Sequence, residues 1–426
     1  QKPVHVIATD TLVENPVVAA WVEHSLEKIE EAAEEQGLPF ESHRLTPDLH
    51  DTFWVNLIGR GYPAPRPKFR WCTERLKINP SNQFIKDTVK EHGEAILALG
   101  TRKAESQKRA ARMEEAEEGR CRDKLSPNQN LPNSLVYSRI EDWTDDDVWL
   151  FLMQEESRWG ISHKKLLSMY RGASADNECP LVVDTTTPSC GDSRFGCWVC
   201  TMVEQDKSMT AMIQNDQEKE WMMPLLELRN ELDVDDDKHR RDFRRMAGHV
   251  QLFHNDPIHG PYTQDAREYW LKRVLEVQQW IRENGPEHVE KIKLIRMEEL
   301  HEIRRLWVRE KHEIEDNLPR IYEEITGEEF PGEELDDSMP FGREELGLLE
   351  EACDGDELQY ELIRELLDVE LQHRTMARRA GLFEALEDAF ERSFYEDKED
   401  ATERARAKKE AKEKAQEGEY EQTSML

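Results

Sequence analysis

The sequence predicts an α/β protein: short apolar strands in a parallel sheet, followed by a long acidic helical region. Three observations lead there. Apolar runs at residues 4–10, 95–101 and 135–140 alternate with helical patterns, the arrangement from which parallel sheets are built. Four of the seven cysteines crowd into residues 179–200. From about Lys207 onward, apolar residues recur at helical spacing between dense charge. The expected domains are an α/β domain over 1–160, a cysteine loop over 161–206, an acidic helical domain over 207–398 and a charged tail over 399–426.

The elements follow in order. VHVIATD, residues 4–10, has the apolar run of a buried parallel strand. Asn15 and Pro16 open a helix as N-cap and first helical residue. Val17, Val18, Trp21, Leu26 and Ile29 carry it to about Gln36, and Gly37 stops it. Residues 40–45 form a weaker strand, and residues 51–58 a helix.

Residues 59–80, GRGYPAPRPKFRWCTERLKINP, read as a long irregular loop. Arg60, Arg66, Lys68, Arg70, Arg75 and Lys77 face one acidic residue there, Glu74. Tyr62, Phe69 and Trp71 offer flat faces on which bases stack. The wider stretch 60–124 holds sixteen Lys and Arg against ten Asp and Glu. It is a positive island in a chain whose net charge of −33 otherwise repels polyanions.

Ser81 reads as the cap of a helix ending at His92, and the strand 95–101 runs into GTRKAESQKR. Glycine at the carboxyl end of a parallel strand lets a ligand approach the backbone, and open α/β sheets bind ligands at that edge. Residues 114–133, rich in charge and turn formers, are expected as a mobile loop. Residues 135–140 are the last strand. Thr144 and Asp147 are spaced as a capping box for the next helix. The tail from Glu399 has almost no apolar face, so it is a solvated helix or disordered.

The cysteines of residues 179–200 are spaced C-x10-C-x6-C-x2-C, with Pro180, Pro188, Gly191 and Gly196 making the segment a loop. Thiolates are metal ligands, and irregular spacing suits a [4Fe–4S] cluster. Zinc, which prefers two short paired elbows, and buried structural cysteines are the competing readings. Trp198 stands ready to shield the site from water. No apolar run reaches membrane-spanning length and no hydrophobic targeting segment is present. A reducing cytoplasm is the expected setting.

Five pieces now stand in one order: ATDT, RWCTERLK, ALGTR followed by ES..R, IEDWTDDDVW, and GDSRFGCWVCT. Over residues 3–205 this order resembles the phosphoadenylylsulfate reductase family of ATP-pyrophosphatase-like proteins, and within it the DndC group that modifies DNA with sulfur. The resemblance implies a Rossmann-like (adenine nucleotide alpha hydrolase-like) sheet that binds ATP, with Mg2+. It implies [4Fe–4S] ligands at Cys179, Cys190, Cys197 and Cys200. Thr9 and Asp10 would lie at the nucleotide edge with Gly100 and Thr101, while Lys77, Arg102 and Arg109 would contact phosphate. Cys72, inside RWCTERLK, is a candidate sulfur carrier; its rival reading is a small core residue.

Two departures narrow the expectation. The family's phosphate loop, Ser-Gly-Gly-Lys-Asp-Ser, is absent and is expected upstream of Val4, one strand-and-helix unit earlier, roughly 30 residues. The Cys-Gly-x-His nucleophile of sulfate reduction is also absent, since Cys353 sits in EACDGDE. The implied activity is ATP-dependent sulfur transfer in DNA phosphorothioation. Adenylylation would turn a phosphate oxygen into a leaving group that sulfur can displace. The implied partners are DNA, a cysteine desulfurase and the other subunits of a phosphorothioation complex. The alternatives are a tRNA-thiolating ATP pyrophosphatase and a non-catalytic iron–sulfur interaction subunit.

Overall fold

A computed structural model describes residues 2–174, 195–313, 315–332, 343–374, 379, 381–393 and 395–424. They form a mixed α/β chain with small sheets and a helical C-terminal region, divided into two compact units. The first comprises residues 1–53, 65–233 and 280–292; the second comprises 54–64, 234–279 and 293–426.

In the first unit β1 (Val4–Thr9) pairs in parallel with β2 (Phe40–Leu45) through helix α1 (Pro16–Gln36). Helix α1 starts and stops where its sequence says. The Asn15 side chain accepts from Val17 N, Pro16 fills the first turn, and Gly37 closes the helix in the left-handed region at φ 63°. A second sheet has the order β3 (Ala95–Ala98), β5 (Ser134–Tyr137), β4 (Leu125–Pro127), with β3 parallel and β4 antiparallel to β5. The expected parallel sheet is therefore two small sheets, one of them mixed.

Three local expectations are corrected. Residues 71–80 are not loop: the chain turns helical at Trp71, passes through a π turn over Glu74–Ile78 and continues as α2 (Asn79–His92). The wide turn, in which Asn79 N donates to Glu74 O, absorbs a proline that has no N–H of its own. Ser81 is consequently inside the helix, donating back to Lys77 O at 2.9 Å rather than capping. Residues 114–133 are likewise not a mobile loop throughout. Ser106 accepts from Arg109 N and starts α3 (Gln107–Glu117), and β4 follows. The capping box of α4 (Asp145–Gln154) is present as expected, between Thr144 and Asp147.

The second unit is built on helices. Helices α5 (Gln264–Asn284) and α6 (Met297–Glu310) supply Trp270, Leu271, Ile303 and Trp307 to its core. Trp54 Nε1 donates to Leu294 O at 2.7 Å and Trp307 Nε1 to Ile58 O at 3.0 Å, so both indoles are buried without leaving a donor unmet. Further on, α7 (Glu357–Arg374) packs with α8 (Leu382–Ser393), and the tail is helical over Lys398–Ser424. Among the described residues no helix is long and apolar enough to cross a membrane.

One glycine of this unit is fixed by close approach. A Cβ on Gly260 would lie 1.7 Å from the Arg244 carbonyl oxygen, a backbone atom that has nowhere to go. Gly260→Ala is expected to cost about 3 kcal/mol, at the upper end of overpacking penalties. Urea unfolding followed by tryptophan fluorescence would show it as a lowered midpoint. An unchanged midpoint would mean that this approach is not as close as described.

Candidate functional site

The carboxyl end of β1 organises the first group of residues. Asp10 N continues the ladder to Leu45 O at 2.8 Å. Its buried carboxylate accepts from Leu12 N at 2.8 Å, holding Leu12 at φ 64°, and pairs with Arg44, whose Nε donates at 2.7 Å. Asp10 therefore sits at the sheet edge expected of it, but its oxygens are occupied in shaping the turn. Thr9 Oγ1 lies 3.1 Å from Ser81 Oγ on α2.

The turn that follows carries the cysteines. Trp198 N donates to Val13 O at 2.9 Å and Asn15 N to Gly196 O at 3.2 Å, so the Cys-x2-Cys segment docks as a short strand on residues 13–15. Cys200 N donates to Cys197 O at 3.0 Å and closes the turn, with Trp198 and Val199 buried inside it. Thr11, fully buried, donates to Glu14 Oε1 at 3.0 Å and lies 3.3 Å from Cys197 Sγ. Behind the turn, buried Arg229 donates to Cys200 O at 2.9 Å, to Glu204 O at 3.0 Å and to Val203 O.

Lys77, on the π turn, brings its Nζ to 3.5 Å from Glu14 Oε1. Burial pulls its ammonium down, but Cys197 and Glu14 outweigh this and raise it. Burial, aided by Glu14, pushes the Cys197 thiol up to about 12 against the opposing pull of Lys77 and Thr11. Without a metal, Cys197 is thus held as a thiol. Cys72 is half-buried; burial raises its thiol, and Cys200 adds to this. Cys72 is therefore within electrostatic reach of Cys200.

Two of the four expected cysteine ligands, Cys197 and Cys200, are brought together on this turn. Each thiol is half-buried beside the buried Trp198 and Val199, and Lys77 favours the thiolate of Cys197. The charge of a bound metal ion reverses the local bias against thiolate. Cys179 and Cys190 lie outside the described residues.

The carboxyl end of β3 forms a second group. Leu99 N donates to Tyr137 O at 2.9 Å, and a Cβ on Gly100 would meet only Ile140, at 3.8 Å. Space is open beside Gly100 and half-buried Thr101. Arg102 is largely buried: Nη2 lies 2.5 Å from Asp145 Oδ1 and Nε 3.6 Å from Glu105, while buried Nη1 has no partner. Arg109 pairs with Glu105. Of the three cations expected on phosphate, each has a carboxylate of this chain beside it.

Strands β1 and β3 line a common cavity. Among the described residues β1 pairs only with β2 and β3 only with β5, so each keeps an open edge. Both edges line a cavity of about 760 Å³, together with Phe84 and His92 of α2. Lys2 and Glu94, 3.6 Å apart, bring the amino ends of both strands together. Asp10, Gly100, Arg102 and the cysteine turn are not among the residues that line the cavity.

The basic loop is shorter than expected. Arg66 and Phe69 bond to each other across a tight turn, which exposes Lys68, Phe69 and Arg70. Trp71 is not a platform for bases. It is buried and stacked on Phe53, ring centroids 5.4 Å apart. Arg75 pairs with Asp51, and Arg60 and Tyr62 belong to the second unit. Glu14, Thr11 and Arg229 were missed by sequence reasoning, although the spacing of Thr11 and Glu14, three apart just before Asn15, carried a usable local signal.

No family model matches the chain, and no solved structure matches it. It is similar to Uncharacterized protein MJ0066 of Methanocaldococcus jannaschii, 22% identical over 203 residues, covering 48% of this chain and 32% of that protein. The chain thus spans about a third of the relative's length.

Proposed function

We propose that the chain is an ATP-dependent sulfurtransferase component of DNA backbone phosphorothioation, resembling the phosphoadenylylsulfate reductase family in its α/β unit. The observation that carries this reading is the docking of the Cys-x2-Cys turn on residues 13–15, directly after β1, with Lys77 beside Glu14 there. In this reading a nucleotide at the carboxyl end of β1 would lie next to the cysteine turn, as an activation step coupled to sulfur transfer requires.

In this reading the open edges of β1 and β3 take a further parallel strand, whose following loop would hold the triphosphate. A DNA phosphate oxygen attacks the α-phosphorus of ATP and pyrophosphate leaves. Lys77 and Arg102 exchange their carboxylate partners for phosphate oxygens, and Arg supplies the directional contact. Sulfur arrives as persulfide from a cysteine desulfurase, with Cys72 the chain's carrier candidate. The persulfide's terminal sulfur bonds to the activated phosphorus as AMP leaves, and a second thiol then cleaves the S–S bond, leaving sulfur on phosphorus and a disulfide behind. A [4Fe–4S] cluster on the cysteine turn would supply a redox-active centre there. Exposed Lys68 and Arg70 supply backbone contacts to DNA.

A second reading, an iron–sulfur interaction subunit without turnover, is favoured by one observation: Asp10, Arg102 and Arg109 are all engaged by residues of this chain. The test that separates them is DNA binding together with ATP cleavage by the full-length protein. Charge reversal of Lys68 and Arg70 is expected to weaken DNA binding and reduce the salt slope by about 2, one for each lost phosphate contact. An unchanged slope, with no pyrophosphate released in the presence of DNA, would favour the interaction subunit.

A further inference from the structure

Parallel pairing brings His5 of β1 opposite Glu41 of β2, and Ile7 opposite His43. Side chains alternate along a strand, so His5, Glu41 and His43 project from the same face of the sheet. They converge there. His5 Nδ1 is 2.9 Å from His43 Nε2 and 3.4 Å from Glu41 Oε2, and His43 Nε2 is 3.9 Å from the same oxygen. Phe84 of α2 packs against both imidazoles, with centroids at 5.5 and 4.8 Å, and the His92 ring stacks on His5 at 6.5 Å.

We propose that His5, Glu41 and His43 form a binding site for a divalent transition-metal ion, with zinc the cation that suits it best. The separations are the first argument. Ligand atoms about 2.0–2.1 Å from a tetrahedral ion lie about 3.3 Å from one another, and the three observed edges bracket that value. The donor set is the second. Two imidazole nitrogens with one carboxylate oxygen suit zinc, whereas calcium and magnesium take oxygen ligands. The third is the state of the pair without a metal. Two ring nitrogens facing each other at 2.9 Å can share only one proton, and that bond gives Glu41 no part to play.

A zinc ion here would tie β1 to β2, the two strands paired in this sheet among the described residues. The face is half-buried under Phe84, while Glu41 remains exposed, so the ion has an apolar floor and a path from solvent. A fourth position stays open for water. This site is distinct from the cysteine turn, because its ligands are nitrogen and oxygen on the sheet face, not sulfur after β1.

Two measurements on the full chain test it. In the first, protein stripped with a chelator is titrated with Zn2+ alone, beside a His5→Ala, His43→Ala double variant. The wild type should take up one equivalent more than the double variant. Glu41→Gln should bind that equivalent roughly a tenfold to a hundredfold more weakly, the scale on which carboxylates near a metal act. Equal zinc uptake by wild type and double variant would overturn the proposal. The second needs no variant. Co2+ added to wild type whose thiols are blocked should give the visible bands of a tetrahedral nitrogen and oxygen site. Absence of such bands at saturating Co2+ would overturn it as well.

Discussion

On the proposed sulfurtransferase reading, Arg102→Ala is expected to lower ATP-to-pyrophosphate turnover a hundredfold or more, about the effect of removing one preorganised electrostatic donor. Three observations set the size. Arg102 is largely buried at the end of β3, Gly100 beside it leaves open space, and its Nη1 is buried without a partner. A buried donor left unmet carries a desolvation cost that a phosphate oxygen would relieve. The competing role is a strut, in which Arg102 serves only to tie Asp145 at the first turn of α4 to Glu105. Asp145→Asn separates the two. A strut makes Arg102→Ala and Asp145→Asn similar losses of stability with turnover intact. A phosphate contact makes Arg102→Ala a loss of turnover and of phosphorothioate in cellular DNA, while Asp145→Asn frees the guanidinium and spares both. Arg102→Lys should rescue poorly, since a point charge does not reproduce the fork.

What the sequence made legible is local. The run 4–10, the Asn15-Pro16 start, the Gly37 stop and the Thr144–Asp147 box each obey rules that act within one turn or one strand, and each appears in the fold, although β1 is half-buried where the run predicts a buried strand. The π turn over Glu74–Ile78 was hidden because prolines and charge there imitate a loop. Ser106 was read for its place beside cations and not as a cap. The antiparallel direction of β4 depends on pairing with β5, which no local pattern encodes.

The same division runs through the candidate site. Cys197 and Cys200 announce themselves by spacing, whereas the groups that set their chemistry come from far along the chain. Asp10 meets Arg44, Lys77 meets Glu14, Arg102 meets Asp145, and Arg229 reaches the carbonyls after the turn. An acidic chain surrounds its few cations with carboxylates, so a cation marked for phosphate by motif is held by a carboxylate in the fold. Motif gives position; partner and protonation state require tertiary contacts.

The cysteine turn yields the other large expected effect. Anaerobically purified protein should be brown with about four irons per chain, and Cys197→Ser or Cys200→Ser should lose that iron. Cys353→Ser, in the second unit, should keep it. Stoichiometric zinc on these cysteines, with no iron, would end the cluster reading. The metal-free state carries its own signature, because Cys197 is pushed up to about 12 by burial and by Glu14. A thiol raised that far is almost wholly protonated at pH 8, and the thiolate is the reactive form. Iodoacetamide should therefore label exposed Cys121 well before Cys197 in metal-free protein. Glu14→Gln removes an anion that disfavours the thiolate, so the Cys197 pKa falls and labelling at pH 8 speeds up, by roughly tenfold for each unit of fall. Lys77→Met removes the opposing cation and should slow labelling instead. If Cys197 reacts as fast as Cys121, or if Glu14→Gln leaves its rate unchanged, Glu14 does not set the thiol's protonation, and the turn is more open to water than its burial indicates.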